Sequence, residues 1–170
     1  MKDILLVDGY NVIGDWPELK ELKEYDLAGA RDKLIQDMAE YQAFKGWTVK
    51  VIFDAHMVPG LGKKYHDFLL DVIYTKEKET ADERIERLVS ELKNVETRVH
   101  VATSDYAEQS HIFGSGALRK SSRELRLEMQ VVKDGIARRV REQREENKRS
   151  ELPLSDELTK IFDKWRRGDR

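Results

Sequence analysis

The sequence predicts an α/β domain with a central, mostly parallel sheet covered by helices on both faces. Short apolar runs of strand length, Ile4–Val7, Thr48–Phe53 and Arg98–Ala102, recur along the chain, and each leads into an aspartate. Between them, apolar residues return at steps of three and four, the spacing of a helix with one buried face. Strand and helix alternating in this way build parallel strands with crossover helices above and below the sheet.

The elements follow in order. Ile4-Leu-Leu-Val7 is apolar throughout, as a strand buried on both faces must be, and Asp8-Gly9 stops it. Leu27, Ala30, Leu34, Ile35 and Met38 mark one face of a helix that Gly46 ends. Thr48-Val-Lys-Val-Ile-Phe53 completes a βαβ unit and reaches Asp54, and Asp71–Thr75 is a shorter strand. Thr80-Ala-Asp-Glu83 has the form of a capping box opening a helix through Ile85, Val89 and Leu92. Arg98-Val-His-Val-Ala102 then leads through Thr103-Ser104 to Asp105. Ser121-Ser-Arg-Glu124 is a second capping box, predicting a long basic helix over 121–148. Pro153 breaks that pattern, and Ser155 is placed to cap a last helix carrying Leu158, Ile161, Phe162 and Trp165. The expected organisation is one domain over 1–149 with a C-terminal helical tail, 150–170, packed on it.

At 170 residues the chain is long enough to bury a core without disulfides, and it has no cysteine, which excludes thiolate metal sites and a Cys nucleophile. No apolar run approaches the roughly 18 residues of a membrane span, so a cytoplasmic protein without a membrane partner is expected. Charge is unevenly distributed. Residues 1–118 hold 15 Lys+Arg against 22 Asp+Glu, whereas residues 119–149 hold 11 against 6. A basic segment on an acidic body suits a polyanion contact, although a solvated, salt-bridged helix face has the same composition.

The chemistry lies in the aspartates. In an open parallel sheet, ligands bind outside the carboxyl ends of the strands, where Asp8, Asp54 and Asp105 are expected, with Asp82 in the first turn of a helix leaving the same edge. Gathered carboxylates repel unless a cation joins them, and hard oxygen donors suit Mg²⁺ or Mn²⁺. Hydrolysis of a phosphodiester is the reaction such a site supports. Each aspartate alone has a plainer explanation: a turn at Asp8-Gly9, a helix-dipole partner at Asp82, a cap at Asp105, a strand end at Asp54. The repeated placement is the signal. Asn11 can orient a water, ligand or phosphate, or serve as a turn or helix cap, and Thr80 is assigned to capping.

Asp8-Gly-Tyr-Asn11, Val51-Ile-Phe-Asp54, Glu79-Thr-Ala-Asp82 and Thr103-Ser-Asp105, in this order, resemble the NYN domain, and more closely its bacterial YacP-like branch. The resemblance covers about residues 3–145. It implies a three-layer PIN-like fold and an Mg²⁺- or Mn²⁺-dependent endoribonuclease that cleaves mRNA in association with the translating ribosome, its RNA and its proteins. It further implies that Asp8, Asp82 and Asp105 form the acidic site, with Asn11 and Asp54 in support. Glu83 adjoins Asp82 and can share its role, and Glu108 is the one acid near the position where PIN relatives carry another.

Arg119, Lys120, Arg123 and Arg126 are the expected RNA contacts, together with Lys63, Lys64 and Tyr65 in the loop after Asp54, where Tyr65 can stack a base. Three rival functions share parts of this pattern. A haloacid-dehalogenase-type phosphatase needs Asp-x-Asp, but Tyr10 stands in the second acidic place; a receiver domain needs paired acids after its first strand. A catalytically silent RNA- or ribosome-binding adaptor keeps the fold and is separated from the enzyme only by assay. Oligomeric state has no sequence signal.

Overall fold

The computed structural model describes residues 1–55, 70–105, 110 and 114–168, without the side chains of 151–158 and 162. Its elements are β1 (Lys2–Asp8), α1 (Gly9–Asp15), α2 (Pro17–Lys23), α3 (Leu27–Lys45), β2 (Thr48–Phe53), β3 (Asp71–Tyr74), α4 (Ala81–Leu92), β4 (Thr97–Thr103), β5 (Leu118–Ser121) and α5 (Ser122–Arg166). The strands form one sheet in the order β3-β2-β1-β4-β5, every neighbouring pair parallel. The α/β architecture expected from the alternation of apolar runs is the one observed.

Alternation along the strands divides the core. Ile4 and Leu6 of β1, Ile52 of β2 and Val99 and Val101 of β4 cluster with Ala81, Ile85 and Val89 of α4 on one face. Side chains one position along, such as Leu5, Val7, Val51 and Phe53, are also fully buried and point to the opposite face, the side of α1 and α3. Asp26 caps α3 by accepting from the Gly29 N–H at 2.8 Å, and Gly46 ends it in the left-handed conformation. Thr80 caps α4, its hydroxyl accepting from the Glu83 N–H at 3.2 Å, as the capping-box pattern predicts.

The C-terminal third differs from expectation in two respects. Leu118–Ser121 forms an edge strand instead of leading directly into a helix. It is short and polar, so it lacks the apolar run by which the other strands are recognised. The helix that follows continues through Pro153 to Arg166, where a break and a separate last helix were expected. Proline removes one N–H and crowds the preceding turn, but its fixed φ is helical, so the backbone can pass through it. The chain divides into two compact units, Met1–Val132 and Lys133–Arg170. In the first, Leu125, Met129 and Val132 of α5 are buried at helical spacing; the second is mostly helix, with Val140, Ile161 and Trp165 exposed. Among the described residues no helix is long and apolar enough to cross a membrane.

Candidate active site

The strand order places a topological switch at the centre of the sheet. From β1 the chain moves outward through β2 and β3, then returns to the other side of β1 for β4 and β5. At the carboxyl ends of β1 and β4 the connections diverge and leave a crevice, the usual ligand position in such sheets. Asp8, the last residue of β1, lies at this crevice, opposite Ile52 of β2. Asp54 is two residues beyond Ile52, about 7 Å further at the rise of a strand. On the other side Val7 pairs with Ala102, and β4 ends at Thr103, immediately before Ser104 and Asp105. Asp8, Asp54 and Asp105 therefore share one edge, and Asp82 enters α4 in its first turn after β3 has ended there.

Local contacts fix this edge. Asp8 is buried, with 6% of its surface exposed, and starts α1. The following Gly9 is required by close packing: a Cβ there would lie 2.3 Å from the Phe53 ring. Across the switch, Asn11 Oδ1 accepts from the Ser104 N–H at 2.9 Å and also from the Ser104 hydroxyl. Asn11 thus ties α1 to the end of β4, neither a turn nor a helix cap. Asp105 is placed by its own N–H, which donates to the Thr103 hydroxyl at 3.1 Å.

The donors at this edge are hard carboxylate oxygens, the type that Mg²⁺ and Mn²⁺ prefer. Among the described residues, no three Asp, Glu or His side chains gather closely enough to hold an ion by themselves. The set therefore fits Mg²⁺ in donor chemistry, with water and substrate phosphate completing the shell, and not as a preformed cage. Glu108 lies outside the described residues.

On the β2 side of Asp8 stands a group absent from the sequence-based expectation. The Tyr10 ring packs on Phe53, centroids 5.0 Å apart, and Phe53 stacks on Tyr74 at 5.7 Å. Arg31, near the start of α3, donates from Nη1 to the Tyr10 hydroxyl at 3.2 Å. Burial pushes the Tyr10 phenol above its ordinary range; Arg31 opposes the shift and the Asp54 charge adds to it. The available signal was topological: in a βαβ unit the connecting helix begins at the carboxyl edge, and its first basic residue lies there with it.

The expected RNA contacts separate. Lys120 is buried on β5, where it donates to Glu128 Oε1 at 2.5 Å and lies 5.3 Å from the centre of the Trp47 ring. Strand alternation is the reason, turning Lys120 inward while Arg119, in register with Val101, is exposed. Arg126 pairs with Glu18 of α2 at 2.8 Å, and Arg123 is exposed. Lys63, Lys64 and Tyr65 lie outside the described residues. Trp16 is a packing residue, buried and donating to the Ser122 carbonyl at 2.7 Å.

Comparison with known proteins agrees with the fold. "Uncharacterized protein YacP" of Bacillus subtilis (strain 168) is 58% identical over 167 residues, covering 98% of each chain. The crystal structure of Rae1 (YacP) from Bacillus subtilis superposes with a TM-score of 0.79 at 57% identity, over 98% of this chain and 96% of that one. A tryptophan-to-leucine variant of Rae1 gives 0.72 at 56% identity over 82% of each chain. The model of the YacP-like NYN domain matches residues 5–167, and with that near-complete match the chain belongs to the YacP-like NYN family.

Proposed function

We propose that this protein is a divalent-metal-dependent endoribonuclease that cleaves mRNA in association with the translating ribosome. Membership of the NYN family supports a nuclease-type, RNA-related function. The observation that supports the metal-dependent reading is the placement of Asp8, Asp54 and Asp105 on one sheet edge, around the switch point between β1 and β4. Asp8, Asp82 and Asp105 are the residues to hold Mg²⁺ or Mn²⁺, with Asp54 beside them. When bound, the ion supplies charge stabilisation on the phosphate and a water of lowered pKa. The chain's own part is positional. Asn11 holds Ser104 and hence the start of the Asp105 segment, and the Gly9–Phe53 contact brings β1 and β2 together directly after Asp8. The exposed Arg119 and Arg123 are the cations near the start of α5 suited to RNA phosphate; mRNA and ribosome as partners follow from the family resemblance.

The test compares wild type with Asp82→Asn on a translated mRNA with ribosomes and Mg²⁺ or Mn²⁺, after circular dichroism shows equal folding, mapping new internal ends. Asp82 is exposed in a capped first turn, so its amide should leave stability unchanged while lowering cleavage on the order of a hundredfold or more. Equal cleavage by both proteins removes Asp82 from the mechanism. No cleavage by either, with ribosome binding retained, replaces the enzyme with a binding adaptor.

A further inference from the structure

We infer that Arg31 binds a phosphate of the RNA strand on the β2 side of Asp8, with the Tyr10 hydroxyl positioning its guanidinium; this rests on reading the carboxyl edge as an RNA site. Three features converge there. First, Tyr10 follows Asp8 by two residues and packs on Phe53, the residue before Asp54, so the residue that accepts from Arg31 belongs to the carboxyl edge that carries these aspartates. Second, Arg31 differs in its partner from the four arginines of this unit that hold carboxylates. Arg84 and Arg87 hold Glu79, Arg98 holds Asp3 and Arg126 holds Glu18, each charge balanced by a carboxylate. Among the described residues, the hydrogen-bond partner of Arg31 is a neutral phenol. Third, that phenol takes one of five guanidinium N–H donors and balances none of the charge, and the remaining fork matches two oxygens of a phosphate. The Tyr10 hydroxyl accepts from Arg31 and retains its own O–H to donate.

The experiment measures binding of a short, fluorescently labelled single-stranded RNA by anisotropy in EDTA, over a series of KCl concentrations, for wild type, Arg31→Gln, Arg31→Lys and Tyr10→Phe. Loss of one phosphate contact should weaken binding about tenfold in Arg31→Gln and reduce the slope of log affinity against log salt by about 0.7. Arg31→Lys keeps the charge and therefore the slope, with weaker binding because the fork is lost. Tyr10→Phe should weaken binding less than Arg31→Gln and leave the slope as in wild type, as a positioning residue would. Wild-type affinity and slope in Arg31→Gln overturn the inference, as does wild type that shows no salt-dependent binding. Should Arg31→Gln fail to fold, Arg31→Lys decides by the same affinity measurement. Cleavage in Mg²⁺ is scored separately: wild type that binds through Arg31 without cutting RNA loses the endonuclease reading while the phosphate contact stands.

Discussion

The start of α5 and the start of α3 both carry basic side chains, but the two regions use them differently. Near α5, Lys120 is held by Glu128 and Arg126 by Glu18. Glu128 also accepts from the Tyr41 hydroxyl at 2.7 Å, and Trp47, beneath Lys120, stacks on His100 at 4.5 Å, which in turn contacts Asp3. This is a connected polar network that joins α3, α5 and the sheet. Near α3, Arg31 leans on a neutral phenol beside the strand-end aspartates. Closeness in sequence to a suspected site is therefore a poor guide to which cation serves it. What counts is whether folding has already given that cation a carboxylate.

The largest effect expected from this contrast is at Lys120. Removing its charge by Lys120→Met leaves the part-buried Glu128 without its ammonium partner, costing about 1–3 kcal/mol in a denaturation experiment. The salt slope of RNA binding should stay as in wild type. A normal denaturation midpoint with a shallower salt slope would instead make Lys120 a phosphate contact and break the comparison.

Acid titration sharpens it. Burial works against the Glu128 carboxylate, but Lys120 and the Tyr41 hydroxyl outweigh it and hold the pKa below the ordinary 4.5. A carboxyl with a lowered folded pKa adds stability that is full above its unfolded value and is lost as pH falls through the folded one. The stability difference between wild type and Glu128→Gln should thus be constant near neutral pH and shrink below about pH 4.5. A difference that grows on acidification would contradict the network. The smallest effect belongs to Arg126→Gln, which removes a solvent-exposed pair and should leave both the denaturation midpoint and RNA affinity at wild-type values.

The legible parts of the fold were those with strong local signals. The apolar runs of β1, β2 and β4, the Gly46 stop and the Thr80 cap depend on neighbouring residues alone, and each lies where its pattern predicts. β5 was not legible because Leu-Arg-Lys-Ser carries no apolar alternation and becomes a strand only by pairing with β4. Its pairing also decided that Lys120 faces inward and Arg119 outward, since a change from helix to strand changes the period of side-chain direction.

By itself, the sequence determined that an acidic residue stands at or just beyond the end of β1, β2 and β4, because apolar runs and the residues that stop them are adjacent in the chain. The tertiary structure alone decided what surrounds those acids. It braced Asn11 on Ser104, brought Arg31 to Tyr10, and withdrew Lys120 and Arg126 into ion pairs. The reason is physical: local hydrogen bonds and side-chain periodicity set an element, whereas the partners of Asn11, Arg31 and Arg126 depend on crossover connections that bring together residues separated by 21 to 108 positions.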